Sequence, residues 1–223
     1  MRYTLSVLSL LLILTSCGPD GRNSTLGNER IDSVKELQEE EPQGTATPAA
    51  PDTAAFPGAF NRFFSALQAA DTAALNTFVD AAQGFWLIEQ PGAMPAYSHF
   101  TSVQEVKREY QQLPFTSINQ QVKQCALQQR EEFPAFDCAD MDGGATGFAE
   151  DGCFYTFITS DFQNTDIWQY AELTKQQEAQ VQELQRQVQA TVLHTGTAYR
   201  FHFGYRNGRW LLLFADLRVP CSA

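Results

Sequence analysis

The chain has 223 residues, 43% hydrophobic and 12% aromatic, with a formal net charge of −11. That is enough apolar material for one good-sized core or two small ones. The acidic balance repels a phosphate backbone, and no basic patch or stacking motif offsets it, so no nucleic acid is expected as a partner.

Arg2 and the apolar run Leu5 to Leu14 read as the basic and hydrophobic regions of a leader. The run is too short and wrongly flanked for a spanning helix. Leu14-Thr15-Ser16-Cys17 follows. It resembles a bacterial lipobox: an aliphatic residue, two small residues, then the cysteine. The resemblance implies that residues 1–16 are removed and that Cys17 carries the acyl chains, of palmitate type, that anchor the protein in the membrane. An ordinary secretory leader ending near a cysteine is the alternative. Gly18 stands where an Asp would retain a lipoprotein at the inner membrane, so the resemblance implies an outer-membrane lipoprotein facing the periplasm or the cell surface. Each buried methylene contributes roughly 0.8 kcal/mol, so two or more chains hold stably without a transmembrane helix.

Residues 17–55 read as a disordered tether. The stretch from Gly18 to Ala55 is rich in Gly, Pro, Thr, Asn and Glu and lacks aromatic residues, with Glu36, Glu39, Glu40 and Glu41 repelling one another. Such a segment buries too little apolar surface to offset its ordering entropy. A flexible chain of this length spans roughly 35 Å root-mean-square.

Residues 56–223 form the globular domain. Phe60, Phe63, Phe64 and Leu67 fall at i, i+3, i+4 and i+7, one face of a helix,. Asp71 is placed to cap a second short helix bearing Leu75, Phe78 and Val79. Phe85 to Glu89 is apolar on both faces and reads as a buried strand. Gln90-Pro91-Gly92-Ala93 predicts a type II turn, which needs positive φ at Gly92. Ser102 and Glu105 form a capping-box pattern ahead of a helix with Val103, Val106 and Tyr110 on one face, ended by Pro114. Ile118, Val122 and Cys125 also fit a helical spacing. Cys153 to Ile158 reads as a strand. The Gln-rich stretch Thr174 to Gln189 predicts a surface helix packing through Leu173, Val181, Leu184 and Val188, stopped by Gly196.

The chain closes on a hairpin. Asn207-Gly208 between two apolar runs predicts a type I′ turn,. Strict alternation from that turn pairs Tyr205 with Trp210, Phe203 with Leu212, Phe201 with Phe214 and Tyr199 with Asp216 on one aromatic face. The other face carries Arg200 and His202 beside Leu211 and Leu213.

Phe60-Asn-Arg-Phe63-Phe64-Ser-Ala-Leu67, then Asp71, Leu75 and Phe78, together with the Gly208-Arg209-Trp210 turn, resembles the two ends of NTF2-like (cystatin-like) domains. Those begin with a helix, an Asp-capped second helix and a strand, and end in long antiparallel strands. The resemblance implies an α+β fold with the N-terminal helices packed on a curved antiparallel sheet. The middle, a cysteine-bearing loop and a Gln-rich helix, departs from that pattern, and only four strands are clear there and at the ends.

Cys125, Cys138, Cys153 and Cys221 remain once Cys17 is set aside. An even count in an exported chain predicts two disulfides. Of three connectivities, Cys138–Cys153 with Cys125–Cys221 is favoured here because the first would staple the Gly-rich loop. With no CxxC and only His99, His194 and His202, no metal or other cofactor is expected. Cys138-Ala-Asp140-Met-Asp142 only faintly resembles a calcium loop and fails its first and twelfth positions.

No nucleophile elbow, phosphate loop or zinc-protease helix is present, so no catalytic residue is assigned. Tyr199, His202, Asp216, Trp86 and Trp210 are the candidates for lining a pocket. His202 reads as a partly buried histidine with a hydrogen-bond partner rather than a base. Asp216 either points into a cavity or meets Arg200, Arg218 or water at the sheet end. The expectation is a lipid-anchored envelope protein with a non-enzymatic binding or interaction domain, its partner another envelope protein or a small ligand. A small-molecule pocket enzyme is the alternative.

Overall fold

Asn207 and Gly208 have φ of 50° and 78°, the positive values a type I′ turn requires, and they join β6 (Tyr199–Arg206) to β7 (Arg209–Asp216),. A computed structural model describes residues 50–144 and 146–221 of the chain. Ahead of the hairpin come α1 (Phe56–Gln68), α2 (Thr72–Asn76), β1 (Phe85–Glu89), β2 (Ala96–Phe100), β3 (Leu127–Gln129), β4 (Cys153–Thr156), α3 (Ser160–Gln163), α4 (Lys175–Gln185) and β5 (Ala190–His194). The fold is α+β. Its single sheet has seven strands in the order β2-β1-β7-β6-β5-β4-β3. It is mixed rather than antiparallel throughout, because β1 runs parallel to β7 and β3 parallel to β4.

Three strands beyond the four expected complete the sheet. β5 is buried along its whole length. Its Thr-Val-Leu core is a strand signature that the helical reading of the preceding Gln-rich stretch ran into. β2 has only Tyr97 and, in part, its neighbours inward, and β3 is an edge of three residues. Conversely, the helix expected after Ser102 shrinks to a 3-10 turn at Val103–Glu105, and Tyr110, placed on its apolar face, is 61% exposed. Phe115–Gln120 is also 3-10 rather than α. Gly92 does not take positive φ, so the type II turn is not made.

The hairpin's pairing begins as expected, with Tyr205 opposite Trp210 and Phe203 opposite Leu212. It then shifts. His202 pairs with Phe214, Phe201 with Ala215 and Arg200 with Asp216, which leaves Leu213 as an extra residue without a partner opposite. This is a β-bulge, and one added residue reverses which face every later side chain meets. Phe214 and Asp216 therefore leave the aromatic face. Ala215 and Leu217 take their place in its core.

That first face is a solid core. Phe56 of α1 lies against Trp210 and Phe203, with ring centroids 4.8 and 5.6 Å apart, and Phe63 lies 5.4 Å from both Phe201 and Phe203. Phe56, Phe60, Phe63 and Leu67 are each at most 1% exposed. Burying each stabilises by about 1.5–3 kcal/mol. Asp71 caps α2 as its position predicts, its Oδ1 accepting from the Ala74 N–H at 2.9 Å. The domain's contacts include the last residues of the predicted tether, since Trp210 Nε1 donates to the Asp52 carbonyl at 3.0 Å.

The opposite face has its own core. Val181, Leu184 and Val188 pack with Trp86, Ile88, Leu211, Leu213 and Phe214. Thr174 and Gln177 close a capping box that starts α4,. The Gln-rich helix thus uses its narrow apolar stripe within the domain. Among the described residues, no helix is long and apolar enough to cross a membrane. Gly204 lets the chain at the end of α4 pass close over β6. A Cβ there would lie 2.8 Å from the Gln187 carbonyl oxygen and 2.7 Å from Leu213 Cδ1. The leucine can swing away; the backbone oxygen cannot. Gly204→Ala is expected to cost about 1–3 kcal/mol, read as a lower urea midpoint at unchanged slope.

All four cysteines of the domain are bonded, but not in the favoured pairing. The bridges are Cys125–Cys153, with Cα atoms 5.0 Å apart, and Cys138–Cys221, at 6.0 Å. The unforeseen β3 explains the difference. Its parallel register sets Leu127 beside Cys153, which brings Cys125, two residues earlier, within bridging reach,.

Candidate functional site

The bulge decides which face Asp216 joins. β5 contributes Thr191, paired with His202 on β6, and Arg200 on β6 pairs with Asp216 on β7. With the register shifted, Arg200, His202 and Asp216 line one cleft of about 720 Å³ on the face away from α1. Arg218 reaches it from just beyond β7, Phe162 covers it from α3, and Glu131 and Glu132 stand among its lining residues.

Asp216 is 2% exposed and fully engaged. Arg218 Nε donates to its Oδ1 at 2.8 Å, Nη2 to Oδ2 at 2.6 Å, and the Arg218 backbone N–H to Oδ1 at 3.1 Å. Burial alone would raise its pKa, but the bidentate Arg218 contact, with the charges of Arg218, His202 and Arg200, outweighs burial and holds the carboxyl below its ordinary value,. It is an anion with both oxygens hydrogen-bonded.

His202 is 1% exposed. Its Nδ1 is hydrogen-bonded to Thr191 Oγ1 at 2.9 Å, and its ring stacks on Phe162 with centroids 3.5 Å apart and planes 16° from parallel. Nε2 is buried without a partner among the described residues. Burial, aided by Arg200 and Arg218 and opposed by Asp216, pushes its pKa down to about 3. The imidazole is therefore neutral at neutral pH and a weak base there.

Arg200 differs from both. It is half-buried, and its guanidinium makes no hydrogen bond or ion pair among the described residues. Burial lowers its pKa, with Asp216 acting the other way. Because Arg218 already neutralises Asp216, the inner wall of the cleft keeps one uncompensated positive charge. The arrangement suits recognition. Neither carboxylate nor imidazole is poised to move a proton near neutral pH.

The other pocket candidates lie elsewhere. Tyr199 and Trp210 belong to the aromatic core on the opposite face, and the Tyr199 hydroxyl donates to Gln121 Oε1 at 2.7 Å. Trp86 shares the face of His202 but lines a separate hollow of about 790 Å³ with His99, Glu183 and Arg206. His194 is hydrogen-bonded to Thr197 Oγ1 at 2.9 Å and lies outside both. Cys17 and the leader lie outside the described residues. Arg200 as an uncommitted cation and Thr191 as the partner of His202 were not foreseen. The β5–β6 pairing sets Thr191 beside His202, and the bulge adds Asp216 to their face; nothing in the local sequence announces that bulge. Among the described residues, no group of three or more His, Cys, Asp or Glu is placed to hold a metal ion.

Set against protein-family models, curated proteins and solved structures, the chain finds no match. Fold and site together define an α+β domain with a polar cleft, holding one unpaired guanidinium, on the second face of its sheet.

Proposed function

We propose that this chain is a lipid-anchored protein of a bacterial cell envelope whose head is a non-enzymatic binding domain of NTF2-like type, with the cleft of Arg200 and His202 as its ligand site. The lipobox-like leader supports the anchor. The opening α1, the Asp71-capped α2, β1 after them and the long closing hairpin support the fold reading, as do the ring contacts of Phe56 and Phe63 with β6 and β7. One observation carries the binding reading: a half-buried guanidinium without a counter-ion, facing a cleft large enough for a small molecule,. A binding role fits better than an acid–base enzyme because Asp216 is tied to Arg218 and His202 is a weak base.

The test has two parts. Mass spectrometry of the N-terminal peptide from the membrane-extracted protein should find Cys17 diacylated; a free, unmodified amino terminus would remove the anchor. A ligand-observed NMR screen of small polar molecules against the full chain should yield saturable binders lost in Arg200→Met. Hits indifferent to that substitution would displace the site from this cleft.

A further inference from the structure

The charge layout of the cleft narrows the ligand. Resting on the cleft being the ligand site, we infer that it takes a small zwitterion of short-peptide type, with a carboxylate held inward by Arg200 and an ammonium outward among Glu131, Glu132 and Asp161. The inner wall offers one free positive charge, since Asp216 is satisfied by its bidentate Arg218. Glu131, Glu132 and Asp161 also line the cleft, are exposed, and form no ion pair among the described residues. Phe133, Ile158 and Phe162 supply apolar lining to the same cleft, with Ile158 59% exposed.

Each competing ligand class meets an unfavourable term. A dianion such as phosphate would gain Arg200 but face three carboxylates. A diamine would gain the carboxylates but meet the guanidinium. A neutral sugar would leave Arg200 desolvated and unpaired, the costly case for a buried charge. A carboxylate matches the planar fork of Arg200 bidentately. A volume of about 720 Å³ exceeds what one amino acid fills, so two or three residues with apolar side chains suit the apolar walls,.

The experiment is isothermal titration calorimetry of the full chain with trialanine, trialanine amide and N-acetyl-trialanine, run beside a neutral disaccharide and an uncharged aromatic fragment. Trialanine is expected to bind saturably. Blocking either terminus should weaken it about 10-fold or more, the effect of losing one charge-assisted contact. Arg200→Met should abolish the gain from a free carboxylate. The exposed pair E131Q/E132Q, which leaves the sheet untouched, should weaken trialanine but not its N-acetyl form, so the inference stays testable if Arg200→Met fails to fold. Equal affinity for blocked and free peptides would overturn it. Binding of the sugar or the fragment without trialanine would overturn the ligand class and leave the binding domain standing; silence from every probe would overturn both.

Discussion

Between pH 6.5 and about pH 3, His202 alone is expected to remove about 1.4 kcal/mol of stability for each pH unit of acidification, and about 4–5 kcal/mol in all,. The sign follows from where the proton prefers to be. In the unfolded chain the imidazole takes a proton below its ordinary pKa of 6.5; in the folded chain burial holds that step down to about 3. Within the window the unfolded state binds more protons, so stability rises with pH and is fully present above 6.5. Arg200 and Arg218 also disfavour the imidazolium, Asp216 favours it, and Phe162 stacks on the ring. Asp216, with its own pKa lowered, begins to lose its contribution only below its ordinary value of 3.8, at the acid end of the His202 window,. His194, also lowered by burial, acts in the same direction below its ordinary value of 6.5.

His202→Phe separates these contributions. The ring keeps its stack on Phe162 but Thr191 loses its partner, so at neutral pH the variant should be less stable by about 1 kcal/mol. It should become the more stable protein by about pH 4. Urea unfolding at several pH values reads both results. Parallel stability curves for wild type and variant would refute the assignment.

Losing the Cys138–Cys221 bridge is expected to cost about 4–5 kcal/mol in the chain-entropy model, which scales with the loop closed, here a separation of 83 residues,. Cys125–Cys153 closes 28 residues and is worth about 3–4 kcal/mol on the same basis,. Access runs in the opposite order to size. Cys138 and Cys221 are exposed, whereas Cys153 is 1% exposed inside the core. Graded reductant followed by alkylation and peptide mapping should label Cys138 and Cys221 first. The double variant C138S/C221S should show a urea midpoint lowered by the amount above divided by the slope. Simultaneous labelling of all four cysteines, or a midpoint unchanged in the double variant, would contradict this account.

Much of the architecture is legible in the residues. The phenylalanine spacing of α1, the Asp71 cap and the Asn207-Gly208 turn each rest on local chemistry, and each forms as that chemistry requires. The middle is harder for a physical reason. β3 is three residues long and β2 is half wet, so their existence depends on partners far along the chain. Because β3 was hidden, so was the pairing of Cys125 with Cys153. The site was legible in composition and not in geometry. Asp216 and His202 stood out as polar residues in an apolar hairpin, and Arg218 as a partner for Asp216. Which face Asp216 joins turns on a register shift at Leu213 that alternation does not encode.

That shift has a practical meaning for anyone altering this hairpin. Positions on β7 up to Leu212 and from Phe214 onward obey opposite parity, so a substitution scheme drawn from odd and even numbering would put charge among the phenylalanines at one end of the strand and grease beside Arg200 at the other. Excising Leu213 would restore plain alternation and leave Asp216 opposite Arg200, whereas straightening the strand with Leu213 retained would swing Asp216 towards the rings of α1,. The kink that absorbs one surplus residue thus keeps the acid beside Arg200 and apart from the aromatic interior.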